Sequence, residues 1–393
     1  MYNQIVKKPD KCYGCGACIE VCPKKCLKLG KDNLGFKKVI MTDENACISC
    51  GACSKVCEAL NMQKGENIQC LKRYYAQNKD SNVLKRSSSG GVFTALAEYV
   101  FRNNGYVWGV HMNGNGKNEF KCASNVENLK SLCGSKYVEV DTALPFSKIK
   151  EQVQEGKLVL FSGTPCQVQA VNLFLKNKKY DNLILVDLLC YGVQSPAIWE
   201  KYISEVSCNN SKISNVQMRY KEPSWENYAM KIEFDDGTIY KKSRWKDPYL
   251  LSYATNLYNR TICMNCEAKK FPRVSDITLG DFWQIDTLPV ISKEINIDSG
   301  VSIVLAHNEK GNEILKQLDE YLYMHELPKQ IFTNMIERFS GCSKKNSNKE
   351  QFFKQLKTES FEKTVKDNID SQTYTWLRFK YLKVKRILKR IKN

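Results

Sequence analysis

Two cysteine runs, Cys12, Cys15, Cys18, Cys22 and Cys47, Cys50, Cys53, Cys57, repeat the spacing C-x2-C-x2-C-x3-C near the start of the chain. That spacing wraps three thiolates around one corner of an iron-sulfur cubane and sends the fourth to a neighbouring cubane. The exchange assigns Cys12, Cys15, Cys18 and Cys57 to one 4Fe-4S centre and Cys47, Cys50, Cys53 and Cys22 to another. Zinc is a poorer reading, because its sites favour separated C-x2-C pairs or mixed Cys/His ligation and the chain has three histidines. A disulfide framework would need an export signal, and residues 1–11 hold no apolar run of that kind. Pro23 follows the first run, whereas Glu58 stands at the matching position of the second. Proline there shapes the turn and is not a ligand, so both centres are expected.

Four more cysteines have a spacing of interest. Cys166 and Cys190 each end an apolar, strand-like segment, and Cys263 and Cys266 form a C-x2-C pair. Strand ends of a parallel sheet converge on one rim, so these four are expected to hold a third 4Fe-4S centre. The alternative stays open on sequence: Cys166 and Cys190 as buried small hydrophobes, with the pair holding zinc or nothing. Cys26, Cys70, Cys122, Cys133, Cys208 and Cys342 have no assigned role, and His111, His307 and His325 show no partner spacing.

The elements that must position these residues change character along the chain. Leu27 to Met41 alternates apolar and polar residues around Gly30 and Gly35, which predicts a hairpin between the two runs. From Arg86 onward, Ser87-Ser88-Ser89-Gly90-Gly91 opens a helical pattern, followed by strands at 106–111, 158–162 and 183–189 and helices at 167–176 and 196–206. A hairpin over 228–242 around Asp236-Gly237 and strands at 276–280 and 301–307 complete an α/β alternation. The expected fold class is an α+β ferredoxin-like two-cluster module followed by an α/β domain with a mixed sheet, which the resemblance described below implies is flavin-binding. The expected divisions are 1–66, 67–335 and a helical basic tail at 336–393.

Of the 393 residues, 42% are hydrophobic, enough for an ordinary core, and no run reaches the length of a membrane span. Eighteen cysteines without an export signal predict a reducing cytoplasm, anaerobic or micro-aerobic. Of the net charge of +18, eight come from Lys and Arg residues of the tail between Arg378 and Lys392. Leu377, Tyr381, Val384, Leu388 and Ile391 would form one apolar stripe among them, which predicts a helix for the inner membrane face or a partner subunit, with a solvated terminal helix as the alternative. No nucleic-acid partner is expected, since no recognition motif accompanies the charge.

Several segments in order resemble the beta subunit family of coenzyme F420 hydrogenase/dehydrogenase: Ser88-Ser89-Gly90-Gly91-Val92-Phe93-Thr94, Gly134-Ser135-Lys136-Tyr137, Leu160 to Gln167, Cys190-Tyr191-Gly192-Val193, and Ser275 to Trp283. The resemblance spans about residues 10 to 325. It implies an iron-sulfur flavoprotein in which FAD links one-electron clusters to a two-electron organic acceptor, F420-type or, in relatives associated with surface polysaccharide synthesis, another small molecule. It implies that Ser89, Gly90, Gly91 and Thr94 hold the FAD phosphates and that Gly134, Ser135 and Lys136 contact the rest of the cofactor. Lys136, Tyr137 and Asp281 are the candidate catalytic residues. A ferredoxin or another donor protein is the expected partner, and a non-catalytic electron-transfer subunit of a larger complex is the rival function.

Overall fold

Each cysteine run needs a tight reversal that turns backbone N–H groups toward sulfur, and glycine supplies it. Gly14 has φ 70°, and a Cβ there would meet the Lys37 carbonyl oxygen at 2.8 Å. The computed structural model describes residues 11–62, 65, 70–207, 211–333 and 346–369. In its first part, β1 (Leu27–Lys31) and β2 (Lys37–Met41) form the expected antiparallel hairpin, with Leu27 opposite Met41. One-turn helices at Ala17–Glu20 and Ala52–Lys55 follow the cysteine loops. Leu27 and Val39 turn inward and pack with Cys12, Cys18 and Cys26.

The remaining strands are β3 (Lys72–Asn78), β4 (Tyr106–Met112), β5 (Asn118–Ala123), β6 (Val159–Gly163), β7 (Leu183–Leu188), β8 (Ile213–Tyr220), β9 (Ala229–Phe234), β10 (Ile239–Ser243), β11 (Ile277–Asp281), β12 (Ser302–Ala306) and β13 (Leu322–Glu326). Eight of them form one mixed sheet in the order β13-β3-β12-β11-β7-β6-β4-β5. β4, β6, β7 and β11 run parallel, and the other neighbours pair antiparallel. β6 and β7 are mostly apolar, broken by Ser162 and Asp187, because both faces are covered. Leu160, Ile184 and Val186 pack under the helix Val92–Arg102, while Phe161, Leu183 and Leu185 pack under the helices Phe146–Gln154 and Pro165–Phe174. The cysteine module docks on this second layer: Ala17 joins Leu144 and Phe146 in the core, and Leu144 N–H donates to the Cys15 carbonyl at 3.2 Å.

β8, β9 and β10 make a separate antiparallel sheet over an aromatic core that includes Trp199, Tyr202, Tyr249 and Tyr258. The helices Lys349–Gln355 and Phe361–Asn368 fall within the segment expected to be a tail, and their Phe352 and Phe361 are wholly buried in that same core. The basic stripe expected over 377–391 lies outside the described residues, as do Cys208 and Cys342. No helix among the described residues is long and apolar enough to cross a membrane.

Gly90 is required by packing. A Cβ there would stand 2.3 Å from the Ala76 carbonyl oxygen and 2.7 Å from the Ser302 amide nitrogen, both backbone atoms of the central sheet. Gly90→Ala is therefore expected to cost at least the roughly 1–3 kcal/mol of an overpacked core, read as a lowered urea midpoint; an unchanged midpoint would refute the contact.

Candidate redox site and cofactor loops

Four of the eight cysteines of the two runs share one cavity, and Cys12, Cys18 and Cys57 lie close enough to act on one another. Cys22, Cys47, Cys50 and Cys53 line one small cavity of about 20 Å³, floored by Leu27 and Met41. Around Cys18, the charges of Cys12, Cys57 and Cys53 add to burial and push its thiol up to about 12; Cys57 is pushed to about 12 by burial, Glu58 and Cys12. Thiols that raise one another in this way do not ionise together unaided, and iron coordination reverses the balance by deprotonating them. Backbone donors already face the sulfurs. Gly14 N–H donates to Cys12 Sγ at 3.3 Å, the Ala17 amide faces Cys15, and the Ala59 and Leu60 amides face Cys57.

A second cavity, of about 40 Å³, lies where the module meets the large sheet. It is lined on one side by Tyr13, Cys15 and Glu58 and on the other by Cys166, Cys190, Cys263 and Cys266. Parallel β6 and β7 end side by side, so Cys166, in the first turn of the helix Pro165–Phe174, and Cys190, just past β7, reach the same rim. Cys263 lies in the tight turn Thr261–Asn265, and Cys266 follows it. The sulfurs again have donors: Gly192 N–H reaches Cys190 Sγ at 3.4 Å, the Val193 amide faces Cys263, and the Ala268 and Lys269 amides face Cys266. Burial and the neighbouring Cys190 push Cys263 up to about 12 and Cys266 to about 11. Among the described residues no three His, Cys, Asp or Glu side chains close on a single-ion site. The four thiols line one cavity, a donor set of the kind a 4Fe-4S centre takes.

Glu58, the residue in place of the second proline, is 1% exposed, and neither carboxylate oxygen has a hydrogen-bond partner. Burial raises its pKa well above the usual carboxylate range, and the Arg260 guanidinium opposes the shift.

The Ser-Gly loop and the Gly134–Tyr137 loop are joined. Ser88 Oγ accepts from Ser135 N–H at 2.7 Å and lies 2.8 Å from Ser135 Oγ. Two cations from β8 and its end, which sequence reasoning missed, hold this junction. Arg219 donates to the Ser88 carbonyl at 3.1 Å, to Asp281 at 2.8 and 3.1 Å and to the Tyr137 hydroxyl at 3.3 Å; Lys221 donates to the carbonyls of Leu84, Ser89 and Ser299. Trp225 Nε1 adds a hydrogen bond to Asp281 at 2.9 Å, and Tyr137 stacks on Tyr253. Asp281 and Tyr137 thus share one buried arginine. Lys136 Nζ instead folds back onto the carbonyls of Leu132, Cys133 and Gly134, and burial lowers its pKa to about 8. Thr94 is 1% exposed, with Oγ1 3.8 Å from Cys133 Sγ, and Ser89 Oγ donates to the Val301 carbonyl. Gly91 begins the helix Val92–Arg102 without a side-chain cap, and the buried Nε atoms of Arg86 and Arg219 have no partner. Those features suit an anionic group beside the loop.

Burial first, and Arg219 second, push the Lys221 ammonium down to about 7. Unfolded lysine titrates near 10.4. Between those values the unfolded chain binds more protons than the folded one, so the Lys221 contribution raises stability as pH climbs from about 7 to about 10.4. Lys221→Met is expected to flatten that rise, measured as anaerobic urea midpoints at pH 7 and pH 9; equal slopes in both proteins would refute the burial argument.

Paired cysteine loops docked on a mixed α/β sheet, with a further cysteine set between them, define an iron-sulfur protein of oxidoreductase type. The 4Fe-4S dicluster domain matches residues 11–60, and the N-terminal and C-terminal domains of the coenzyme F420 hydrogenase/dehydrogenase beta subunit match residues 73–145 and 156–330. The chain belongs to that beta subunit family and binds 4Fe-4S clusters. It is 24% identical over 262 residues to the F420-dependent formate dehydrogenase 1 subunit beta of Methanococcus maripaludis, a match spanning 64% of this chain and 60% of that relative. A chain of the F420-reducing nickel-iron hydrogenase complex from Methanosarcina barkeri is 16% identical, with TM-score 0.48, covering 74% of this chain and 94% of that one.

Proposed function

We propose that this protein carries electrons from an external donor protein through three 4Fe-4S centres to FAD and on to an F420-type or related organic acceptor. The observation that carries the reading is the shared cavity: Cys15, a ligand of the first centre, lines the same space as Cys166, Cys190, Cys263 and Cys266. Bound clusters supply single-electron transfer, and a bound flavin couples two such transfers to one two-electron substrate. Cys12, Cys15, Cys18 and Cys57 would hold the inner module centre, and Cys47, Cys50, Cys53 and Cys22 the outer one. Cys50 is exposed, which supports entry of electrons from a docked donor at the outer centre. Tyr13 hydrogen-bonds Cys266 and so spans the gap between the module and the third set. Arg219 holds Asp281 and Tyr137 beside the Ser88–Ser135 junction, where those side chains would orient the ring or the substrate. The uncapped helix start at Gly91 and the free guanidinium nitrogens would receive the cofactor's phosphates.

The relative's name, a subunit beta, supports action beside a partner subunit. The test is reduction of an F420-type deazaflavin by the isolated, flavin-loaded chain with reduced viologen as donor. Turnover of the chain alone is the expected result. Turnover only after a partner subunit is added would make the chain a relay without its own acceptor site, and absence of bound flavin after reconstitution would defeat the proposal.

A further inference from the structure

We propose that Cys26 is a reserve ligand of the outer 4Fe-4S centre and takes the place of Cys22 when that ligand is lost; this rests on the reading of Cys22, Cys47, Cys50 and Cys53 as the resident set. The repeat uses Cys22 and leaves Cys26 over, yet the fold brings this fifth sulfur to the same place. Cys26 Sγ lies 3.5 Å from Cys22 Sγ, the Cys26 thiol also hydrogen-bonds Cys47, and Cys26 lines the cavity of the other four.

The two cysteines differ in how they are held. Cys22 is half-buried and precedes the loop Pro23-Lys24-Lys25, in which Lys25 has φ 50°. Cys26 is 4% exposed and directly precedes β1, and its carbonyl accepts from Thr42 N–H at 2.9 Å across the hairpin. The resident ligand is therefore the more solvent-facing sulfur, and the sheltered one is fixed to the hairpin. Replacement requires side-chain rotation and no change in the hairpin ladder. In the exchange the Cys26 thiol gives its proton to solvent and forms an Fe–S bond, while the Fe–S bond of Cys22 breaks and that sulfur takes up a proton. No electrons move, and the centre keeps four thiolates.

Iron and sulfide analysis of anaerobically isolated full-length chains, with spectra of the dithionite-reduced state, decides the matter for wild type, Cys22→Ala, Cys26→Ala and the double variant. Wild type below about 8 irons would defeat the two-centre reading itself, separately from this proposal. The expected result is wild-type iron in both single variants and a loss of about 4 irons in the double variant. Loss of the centre in Cys22→Ala alone overturns the proposal. Loss in Cys26→Ala alone overturns it as well, by making Cys26 the resident ligand. Cys50→Ala serves as the positional control and is expected to lose about 4 irons; full retention there would show that survival does not depend on Cys26 and would also overturn the proposal.

Discussion

A Cys263→Ala/Cys266→Ala chain, isolated without oxygen, is expected to carry about 8 irons against the roughly 12 that the three proposed centres give the parent, and to leave the proposed flavin oxidised when donor is added. The pair supplies half of the sulfurs on the sheet side of the larger cavity, and both residues are almost fully enclosed, at 9% and 8% exposure. Their removal leaves Cys166 and Cys190 without a closing pair. The two module centres use none of these four cysteines, so reduced module spectra should persist and report that the variant has folded. Equal iron in parent and variant would sink the third centre, and loss of all iron would show that the pair serves folding instead. Tyr13→Phe is the finer companion, because it removes the hydroxyl that meets Cys266 and leaves every sulfur in place.

Arg260→Met should loosen the module from the body and cost about 3–5 kcal/mol, the usual penalty for breaking a buried charge pair from one side. Arg260 is 7% exposed. Its guanidinium pairs with Glu139 and donates to the backbone carbonyls of Cys12, at 2.8 Å, and Lys37. A single planar fork thus reaches a cysteine loop, the cluster hairpin and the body of the protein at once. The loss should fall near the lower end, because Lys37 N–H still donates to Glu139 at 2.7 Å. Arg260→Lys keeps the charge but lacks the fork, and should recover only part of the stability. Anaerobic urea unfolding checks both, with the rate of iron release to a chelator as a second readout. A midpoint unchanged in the Met variant would remove Arg260 from this role.

Local spacing was legible wherever one stretch of chain does the work. The cysteine runs, the hairpin between them and the doubly covered strands β6 and β7 all follow from short-range pattern, since turn geometry and side-chain alternation act over a few residues. β3 was not legible. Gln77 and Asn78 are polar by type, yet both are buried, and Gln77 donates to the carbonyls of Asn296 at 2.6 Å and Gly300 at 2.7 Å. Those partners lie more than 200 residues downstream. β8 escaped notice for a related reason: Arg219 looks like a solvent residue until Asp281, Tyr137 and the Ser88 carbonyl surround it.

The amino-acid order alone determined which atoms are available for chemistry: paired cysteine quartets, a further C-x2-C and small residues ahead of a helix, all set by covalent spacing. Tertiary structure alone decided which of them meet. It set Cys15 against the distant quartet, turned Glu58 into the cavity and gave Asp281 and Tyr137 a common arginine. The reason is that such meetings depend on strand order and on the docking of the module against the sheet, where burial of apolar surface fixes positions that no local pattern encodes.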